Sequence, residues 1–403
     1  MFHLNIFLKI VKIFVYIFTI PFFIIIIILS PFITIRFGLL SSERIGELAM
    51  RTENYLMNKM FKARNTIHID IFTPTHIVAN KTLLDLIKKR LFMLPSIIGY
   101  PIYHLFKTLS IKMNFFKRFI IILPFWDVNH LISKTESCLK LDKASLKKGE
   151  EFLEKLKIEK NSKIICLIVR DTNYLKLKFP TKDWSYHNHR NCDISNYEMA
   201  IKYAMNKGYY VFHMGDKPKN YLDLEDKKFI QYAKNHRTDF LDVYLAYKCE
   251  FCITMGTGWD LVASYNFRKP IVWTNALPIT DPIAYSYKYI FSPKLYFSNK
   301  ENRYLSLREI KDLGLSFKNQ LNDYNELNIS LIENTPVEIM DMTKEMIEIL
   351  NNKVEYTNED KSRQEKLLKL YKELFSYKFG NNMNQFSRIS KDFIQKNQFL
   401  VEN

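Results

Sequence analysis

The sequence lacks the cysteine pattern of a disulfide-stabilised protein. Five cysteines occur in 403 residues, an odd number with irregular spacing, which argues against a disulfide framework and favours a reducing compartment. Cys249 and Cys252 form a C-x-x-C, but no further pair of ligands stands at the spacing of a zinc site. Because Cys252 also begins an apolar strand-like segment, buried structural thiols are the favoured interpretation, with metal or redox chemistry as the alternative.

The sequence also lacks a dense basic block interleaved with aromatic residues. The formal net charge is nevertheless +17, from 59 Lys and Arg against 42 Asp and Glu. Such a charge attracts nucleic acid, anionic lipid or phosphate-bearing substrates. Without a basic block, nucleic-acid binding is the weakest of these three hypotheses.

The first forty residues are the most apolar part of the chain. The segment Ile13–Ile35 supplies the roughly 20 apolar residues that a spanning helix needs, and no small-residue cleavage site follows it. Residues 1–40 therefore predict a retained membrane anchor.

The conformation and orientation of this anchor are a separate question. Pro21 and Pro31 favour a kinked segment. Basic residues flank both ends and leave the orientation open: Lys9, Lys12, Arg36 and Arg44. A kinked, re-entrant or surface-lying anchor with both ends in the cytoplasm is the favoured interpretation.

Residues 41–156 predict a first α/β domain. Thr66–Phe72 alternates like a strand, and Lys81–Leu94 has helical apolar spacing. Arg118–Phe125 predicts a buried strand. Gly149–Leu156 predicts a helix that leads into the next domain.

Residues 157–297 predict a second domain with a parallel sheet. Four apolar runs of strand length indicate buried strands: Lys163–Val169, Tyr209–Met214, Phe251–Met255 and Ile271–Thr274. Helices are predicted between them, one from a capping box at Ser195–Glu198 to Gly208, and others at Phe229–Asn235 and Asp239–Lys248. Alternating strands and helices imply right-handed crossovers. Residues 298–403 predict a helical region that packs back on the preceding domains.

Polar residues follow the first three strands of this second domain. Arg170 and Asp171 follow the first, Gly215 and Asp216 the second, and Gly256-Thr257-Gly258 the third. Ligands of open α/β sheets bind beyond the carboxyl ends of the strands, so we expect these residues to share one edge of the sheet. Arg170 is suited to clamping a diphosphate and Asp171 to orienting it or taking a proton. A structural ion pair is the alternative.

The glycine turn is suited to binding an anion. Two glycines let the backbone approach a phosphate closely, and the helix predicted to begin at Trp259 offers free N–H groups. An ordinary strand-to-helix turn is the alternative. Asp260 would repel a phosphate if its carboxylate pointed into the turn.

The loop Asp183–Asp193 is the densest polar cluster in the chain. It combines acidic residues, two imidazoles, an arginine and a tryptophan ahead of a predicted helix. His187 and Arg190 are suited to a phosphate or leaving-group role, and Asp193 is suited to a helix cap. A solvated loop is the alternative.

Four segments carry a resemblance to a known family. They occur in this order: CLIVRDTNYL at Cys166–Leu175, YHNHRNCDISNY at Tyr186–Tyr197, GYYVFHMG at Gly208–Gly215 and DFLDVYLAYKCEFCITMGTG at Asp239–Gly258. Together they resemble a bacterial glycosyltransferase family found with surface-polysaccharide genes. The likeness extends over Val78–Asn275, and Ser387–Ile389 also fits. The sequence is similar, more distantly, to protein O-fucosyltransferases and heptosyltransferases.

The resemblance implies an α/β, GT-B-like fold. That fold has two Rossmann-like domains with parallel sheets, here preceded by the N-terminal hydrophobic membrane segment, and the C-terminal domain holds the donor. The positions that match the family pattern are Arg170, Asp171, His187, Arg190, Asp193, Gly215, Asp239, Asp242, Gly256, Thr257 and Gly258. From the chemistry of these residues, we expect catalytic roles for Asp171, His187 and Arg190, and donor binding by the others. The sequence departs from the pattern at His213, where relatives often have Arg, and at Trp259–Asp260, where smaller residues are usual.

The expected function is a glycosyltransferase that moves a hexosyl or related sugar from a nucleotide-sugar donor to a surface glycan or lipid-linked acceptor. No cofactor or metal is expected, because no Asp-x-Asp ends a predicted strand and Asp223-Leu224-Glu225 lies in a charged stretch. The bacterial inner membrane is the expected location, with the catalytic domain on its cytoplasmic face. A sugar-nucleotide epimerase, a pyruvyl transferase and a non-catalytic membrane scaffold are the alternatives.

Overall fold

The computed structural model describes residues 20–61, 68–127, 129–178, 180–284, 288–379 and 387–402. These residues form two compact units. The first contains the described residues up to Trp126 together with Ser137–Leu141. The second contains Asp127–Glu136 and the described residues from Asp142 onward.

The first unit is built on a parallel sheet of three strands. Its strands are β1 (Thr34–Leu40), β2 (His68–Pro74) and β3 (Ile120–Ile121), in the order β2-β1-β3. Its helices are α1 (residues 20–29), α2 (Ile45–Phe61), α3 (Lys81–Lys88) and α4 (Ser96–Lys112). Thr34 pairs with His68, so β1 and β2 begin at the same edge of the sheet.

A cluster of aromatic rings explains why part of the first unit is not a strand. Phe116 and Phe119 are three residues apart, and both are buried against Phe106. That spacing suits a helix, and Asn114–Phe119 forms a 3₁₀ helix. The predicted strand at Arg118–Phe125 is therefore wrong except for the two residues of β3.

Two other predictions for the first unit need correction. The predicted helix at Lys81–Leu94 ends at Lys88 as α3, because Met93 then pairs with Phe72 of β2. Thr66 and Ile67, predicted to begin a strand, lie outside the described residues, and β2 starts at His68.

The predicted membrane anchor lies only partly within the described residues. Residues 1–19 fall outside them, residues 20–29 form α1, and residues 34–40 form β1 of the sheet rather than anchor. No helix within the described ranges is long and apolar enough to cross a membrane. Phe23 and Ile26 of α1 pack on Phe106, while other apolar side chains of α1 are exposed.

The second unit contains a parallel sheet of seven strands and a smaller antiparallel sheet. The strands are β4 (Ile164–Ile168), β5 (Tyr210–His213), β6 (Phe229–Ile230), β7 (Phe251–Thr254), β8 (Ile271–Ala276), β9 (Tyr289–Pro293), β10 (Leu295–Ser298), β11 (Arg303–Tyr304), β12 (Ile329–Ile332) and β13 (Arg388–Ile389). The large sheet has the order β13-β9-β8-β7-β4-β5-β6, and all of its pairs are parallel. The small sheet has the order β11-β10-β12. The predicted α/β class with parallel sheets is confirmed.

Helices connect and cover these strands. They are α5 (Lys143–Lys155), α6 (Asn173–Lys178), α7 (Glu198–Asn206), α8 (Tyr232–Asn235), α9 (Asp239–Lys248), α10 (Trp259–Leu261), α11 (Asp281–Ala284), α12 (Leu307–Asp312), α13 (Leu321–Asn325), α14 (Pro336–Leu350), α15 (Asn358–Phe379) and α16 (Lys391–Lys396). A π-helical turn at Val262–Asn266 continues α10. The core on one side of the sheet joins Ile165 and Leu167 of β4 to Ile201 of α7 and Met342 of α14.

The order of the large sheet defines a switch point between β4 and β7. The chain runs from β4 to β5 and β6 on one side, and then returns to β7, β8 and β9 on the other. The carboxyl ends of β4 and β7 are therefore the place where a sheet of this order is expected to bind a ligand.

Several local predictions for the second unit need correction. The helix predicted from a capping box at Ser195–Glu198 instead begins as a 3₁₀ turn, Ile194–Tyr197, which continues into α7. Asp193 caps this turn, and its carboxylate accepts from the Ser195 amide. The helix predicted at Phe229–Asn235 is divided into β6 and α8. The region after residue 298, predicted as helical, also contributes β11, β12 and β13.

Candidate functional site

The switch point brings together three features singled out in the sequence. Arg190 donates from Nη2 to the carbonyl oxygen of Gly256 over 3.1 Å. The backbone N–H of Arg170 points to the sulfur of Met255 at 3.2 Å. The Arg170 loop, the Asp183–Asp193 loop and the glycine turn therefore share one edge of the sheet.

A cavity of about 410 Å³ opens beside Arg170. Its lining residues are Arg170, Asp171, Thr172, Leu175, Lys176, Pro180, Lys182, Asp183, Trp184, Ser185, His187, Asn188 and Asn191. Two lysines and an arginine face two aspartates here. The indole of Trp184 lies nearly parallel to the His187 ring, with centroids 6.3 Å apart and an interplanar angle of 11°. The cavity thus combines cationic groups with flat rings, which suits an anionic ligand that carries a ring.

Asp171 joins two loops at the mouth of this cavity. One carboxylate oxygen accepts from the Asn173 N–H at 2.8 Å, and the other accepts from the Lys219 N–H. Asn173 also donates to the carbonyl of Lys217 at 2.7 Å. The loop after β4 and the loop after β5 are therefore held together by Asp171, which makes it a positioning residue.

The glycine turn is occupied by the carboxylate of Asp260. Oδ1 of Asp260 accepts from the N–H of Thr257 at 3.0 Å, the N–H of Gly258 at 2.6 Å and the Thr257 hydroxyl at 3.2 Å. Gly256 and Gly258 have φ of 79° and 101°, a conformation that other residues adopt at a cost. The N–H groups expected to hold a diphosphate thus already bind a carboxylate, and α10 has only three residues.

Burial of Asp260 explains why this carboxylate is part of the fold. Its side chain is buried, with 3% of the residue exposed. Burial raises its pKa, and the N–H of Gly258 opposes that shift. An internal carboxylate has therefore taken the position where an external anion was expected, and the alternative of an ordinary turn fits the geometry better.

Three acidic residues near the end of β5 surround Arg237. The Arg237 guanidinium lies 3.5 Å from Asp216, 3.8 Å from Asp239 and 3.2 Å from Asp242. The Tyr232 hydroxyl donates to Asp242 at 2.7 Å. Burial raises the pKa of Asp242 to about 7, against the opposing effects of Arg237 and Tyr232. Asp239 and Asp242, predicted to bind the donor, both belong to this ionic cluster around Arg237, in which Asp242 is buried and Asp239 is half-buried.

The remaining predicted residues have distinct positions. His187 lines the cavity and Asp193 is an exposed cap, while Gly215 adopts φ of 139° in the turn after β5. His189, two residues from His187, is buried and lies beside the Tyr324 ring, with centroids 5.4 Å apart. Burial lowers the pKa of His189 to about 4, and the charge of Arg190 acts in the same direction. His189 is therefore neutral at physiological pH.

Sequence reasoning missed two cations at this edge, Arg237 and Lys294. Lys294 follows β9, and only 3% of the residue is exposed. Its ammonium group donates to the Asn191 carbonyl at 3.0 Å and lies 3.5 Å from Glu333. Lys294 thus supports the loop that forms the cavity wall. A lysine directly after an apolar strand was the available signal.

Cysteine and metal chemistry receive no support as a site. Cys166 and Cys252 are paired residues on neighbouring strands and are fully buried. Burial raises the pKa of both thiols. Across the described ranges, no group of three or more His, Cys, Asp or Glu side chains is arranged to hold a metal ion.

Comparisons with known proteins give weak structural likenesses. No family model matches the chain, and no curated protein matches it significantly in sequence. The structure is similar to the Escherichia coli ADP-heptose lps heptosyltransferase II, with 14% identity and a TM-score of 0.38 over 73% of this chain and 98% of that chain. It is similar to a glycosyl transferase family 9 protein from Veillonella parvula, with 10% identity and a TM-score of 0.38 over 64% of this chain and 86% of that chain. It is also similar to the Staphylococcus aureus MnaA–UDP structure, with 10% identity and a TM-score of 0.29 over 79% of this chain and 97% of that chain.

Proposed function

We propose that the second unit is the donor-binding domain of a nucleotide-sugar-dependent glycosyltransferase. The observation that carries this proposal is the cavity beside Arg170, lined by residues that follow β4, which is one of the two strands at the switch point of a seven-stranded parallel sheet. Such a crevice is where open α/β sheets bind nucleotides. Its cationic and aromatic lining suits a diphosphate joined to a base and a sugar.

Charge stabilisation is the chemistry that these residues can supply. When a glycosidic bond to a nucleotide breaks, negative charge develops on the leaving diphosphate, and fixed guanidinium groups lower the energy of that state. Arg170 and Arg190 are the residues proposed for this role. His187, which lines the same cavity, is proposed to hydrogen-bond the diphosphate or to donate a proton to it.

Asp171 and the glycine turn take supporting roles in this proposal. Asp171 has both oxygens bound to backbone N–H groups, so it orients the loop that carries Arg170. The turn at Gly256–Gly258 holds Arg190 through the Gly256 carbonyl. The donor diphosphate is then expected to lie against side-chain cations rather than against the amides of the turn. No metal ion is required.

The acceptor is proposed to be a surface glycan or a lipid-linked glycan, and the transferred group a hexose or a related sugar. Nucleotide sugars are cytoplasmic metabolites in bacteria, so the proposed location of the reaction is the cytoplasmic face of the inner membrane. An acceptor-dependent release of nucleoside diphosphate from a nucleotide sugar would support transfer. Conversion of the sugar without any acceptor would instead identify an epimerase.

A thermal-shift series tests the donor site directly. A nucleoside diphosphate or nucleotide sugar that binds only the folded chain stabilises it by about 2.7 kcal/mol at a concentration 100 times its Kd. We expect Arg190→Gln and Lys182→Ala to weaken this binding by about tenfold each, because each removes a positive charge at or beside the cavity. Lys147→Ala, on the exposed face of α5, is the matched control.

Two results would contradict the donor site. One is an equal loss of binding in Lys147→Ala, which would reduce the effect to net charge. The other is the absence of a shift with every nucleoside diphosphate and nucleotide sugar while the chain remains folded.

A further inference from the structure

The first unit contains a second cavity, at the edge of its sheet opposite to the carboxyl ends of the strands. Its volume is about 510 Å³, and it lies among Arg36, His68, Arg118 and the segment 30–34. Thr34 and His68 are the first residues of β1 and β2, so this is the amino-terminal edge of the sheet. Substrates of α/β sheets bind at the other edge, which separates this cavity from ordinary substrate chemistry.

The cavity has an excess of positive charge. Arg36 forms a two-point ion pair with Asp70, at 2.7 and 3.0 Å, and is thereby neutralised. Arg118 donates from Nη2 to the Ser30 carbonyl at 3.0 Å and to the Thr34 hydroxyl at 3.1 Å. Among the described residues, no carboxylate lies within ion-pair distance of Arg118. An anion in the cavity would supply the missing negative charge.

The pKa of His68 is lowered by burial and, as expected, by the positive charge beside it. Burial lowers the pKa of His68, and the charges of Arg36 and Arg118 lower it further, against the opposing effect of Asp70. Arg36, His68 and Arg118 therefore line one cavity, and Asp70, which is paired with Arg36, does not line it.

Exposed apolar side chains surround this positive cavity. On α1 and the segment that leads to β1, the exposed apolar residues are Ile20, Phe22, Ile24, Ile25, Ile28, Leu29, Phe32 and Ile33. Phe32, which lines the cavity, is 82% exposed. Water-facing apolar patches of this kind mark interaction surfaces, and helices that lie in a bilayer interface bury such a face at the boundary between headgroups and acyl chains.

We propose that this surface docks on an anionic phospholipid bilayer and that the cavity holds the phosphate of one lipid. The apolar face of α1 and Phe32 would enter the acyl boundary, where lipid phosphates stand just above the apolar side chains. Arg118 would then bind the phosphate through the N–H groups that it does not use for Ser30 and Thr34. Charge and apolarity are thus arranged as the layers of a membrane interface require.

Vesicle flotation of the full chain tests the headgroup part of the proposal. We expect tighter binding to vesicles of phosphatidylcholine mixed with phosphatidylglycerol than to phosphatidylcholine alone. Arg118→Gln should raise the lipid concentration for half-maximal binding to the mixed vesicles by about fivefold, the effect of one basic residue at an anionic surface. Binding to phosphatidylcholine should change less, because the positive choline group of that lipid balances the charge of its phosphate. Arg90→Gln, an exposed arginine of the same unit, should change neither.

Fluorescence quenching by brominated phosphatidylcholine tests the apolar part, and it does so even if other segments hold the chain on the vesicle. Phe32→Trp should be quenched, because residue 32 is expected to lie at the acyl boundary. Ile122→Trp is the control, since Ile122 is 80% exposed in the same unit but follows β3. Equal quenching at both positions, or none at Phe32→Trp, would overturn the proposal.

Further outcomes of these experiments also test the proposal. An unchanged lipid preference in Arg118→Gln, or an equal loss in Arg90→Gln, would show that the cavity binds no headgroup. A rise in melting temperature with inorganic phosphate that Arg118→Gln abolishes, without any effect on vesicle binding, would identify a site for free phosphate instead. Nucleotide-induced stabilisation should be the same in wild type and Arg118→Gln, so failure here is distinguishable from failure of the donor site.

Discussion

The loops that leave β4 and β7 begin side by side but treat their polar groups in opposite ways. Ile168 and Thr254 are paired at the ends of these strands. After β7, Asp260 accepts the N–H groups of Thr257 and Gly258, so the turn satisfies itself. After β4, Arg170 and the loop that follows place cationic side chains around an open cavity.

This difference shows that a glycine turn after a strand does not by itself identify an anion site. Glycines with positive φ make N–H groups accessible, but a nearby carboxylate can bind those groups as well as a phosphate can. Whether such a turn binds a ligand depends on whether its N–H donors already have an acceptor within the protein. The turn after β7 has its N–H groups already bonded to Asp260, so it belongs to the fold. The loop after β4 places cations beside a cavity and is the better candidate for binding a ligand.

The largest effect is expected when the carboxylate of the turn is removed. Asp260→Ala should lower the free energy of unfolding by about 3 kcal/mol, because the half-buried N–H groups of Thr257 and Gly258 lose their buried acceptor. Asp260→Asn retains an acceptor oxygen and should lose less. Chemical denaturation measures both. If Asp260→Ala instead left stability intact and increased nucleotide affinity, the turn would be a ligand site and the comparison would fail.

Asp242 of α9 is a second buried carboxylate at this edge of the sheet. Its contribution to the free energy of unfolding depends on pH, which sharpens the comparison. The folded-state pKa of Asp242 is raised to about 7, whereas an unfolded Asp titrates near 3.9. Between about pH 4 and pH 7 the folded state therefore binds more protons, and this residue makes stability fall as pH rises. Below that window the contribution is constant and fully present.

Asp242→Asn should remove this contribution. The difference in free energy of unfolding between wild type and Asp242→Asn should shift against wild type by on the order of 1–3 kcal/mol across that window. Denaturation at several pH values measures it. A difference that stays flat from about pH 4 to pH 7 would mean that Arg237 keeps Asp242 ionised throughout.

Local sequence signals predicted some elements to the residue. The helix α9 was predicted at Asp239–Lys248 after Thr238, and the structure has those bounds and that cap. The side chain of Thr238 bonds the Leu241 N–H, an interaction within one turn that the sequence contains entirely. The buried strand β4 was similarly evident from an unbroken apolar run.

Long-range partners were not predictable in the same way. The sequence places Asp260 just after the glycine turn, but the direction of its carboxylate depends on the fold of the turn. Arg237 has Asp239 and Asp242 nearby in the chain, but its third partner, Asp216, lies 21 residues before it. The partners of Lys294, Asn191 and Glu333, are farther away still. Phe116 and Phe119 formed a 3₁₀ helix because they pack on Phe106 of α4, which a single segment does not reveal.

The smallest expected effect concerns the one carboxylate in the cavity wall that is not bound between loops. Asp183 is exposed and lines the cavity, and the N–H and hydroxyl of Ser185 lower its pKa, so it is ionised at neutral pH. Its negative charge opposes an anionic ligand. Asp183→Asn should therefore tighten nucleoside-diphosphate binding by about twofold, since the interaction crosses solvent and is screened.

Asp193→Asn is the control for this prediction. It retains its cap and lies outside the cavity lining, so it should leave nucleoside-diphosphate binding unchanged. Calorimetric titration at low and high salt measures both variants, and the gain should shrink as salt increases. Weaker binding in Asp183→Asn would mean that this carboxylate contacts the ligand directly, and the loop after β4 would then recognise more than charge.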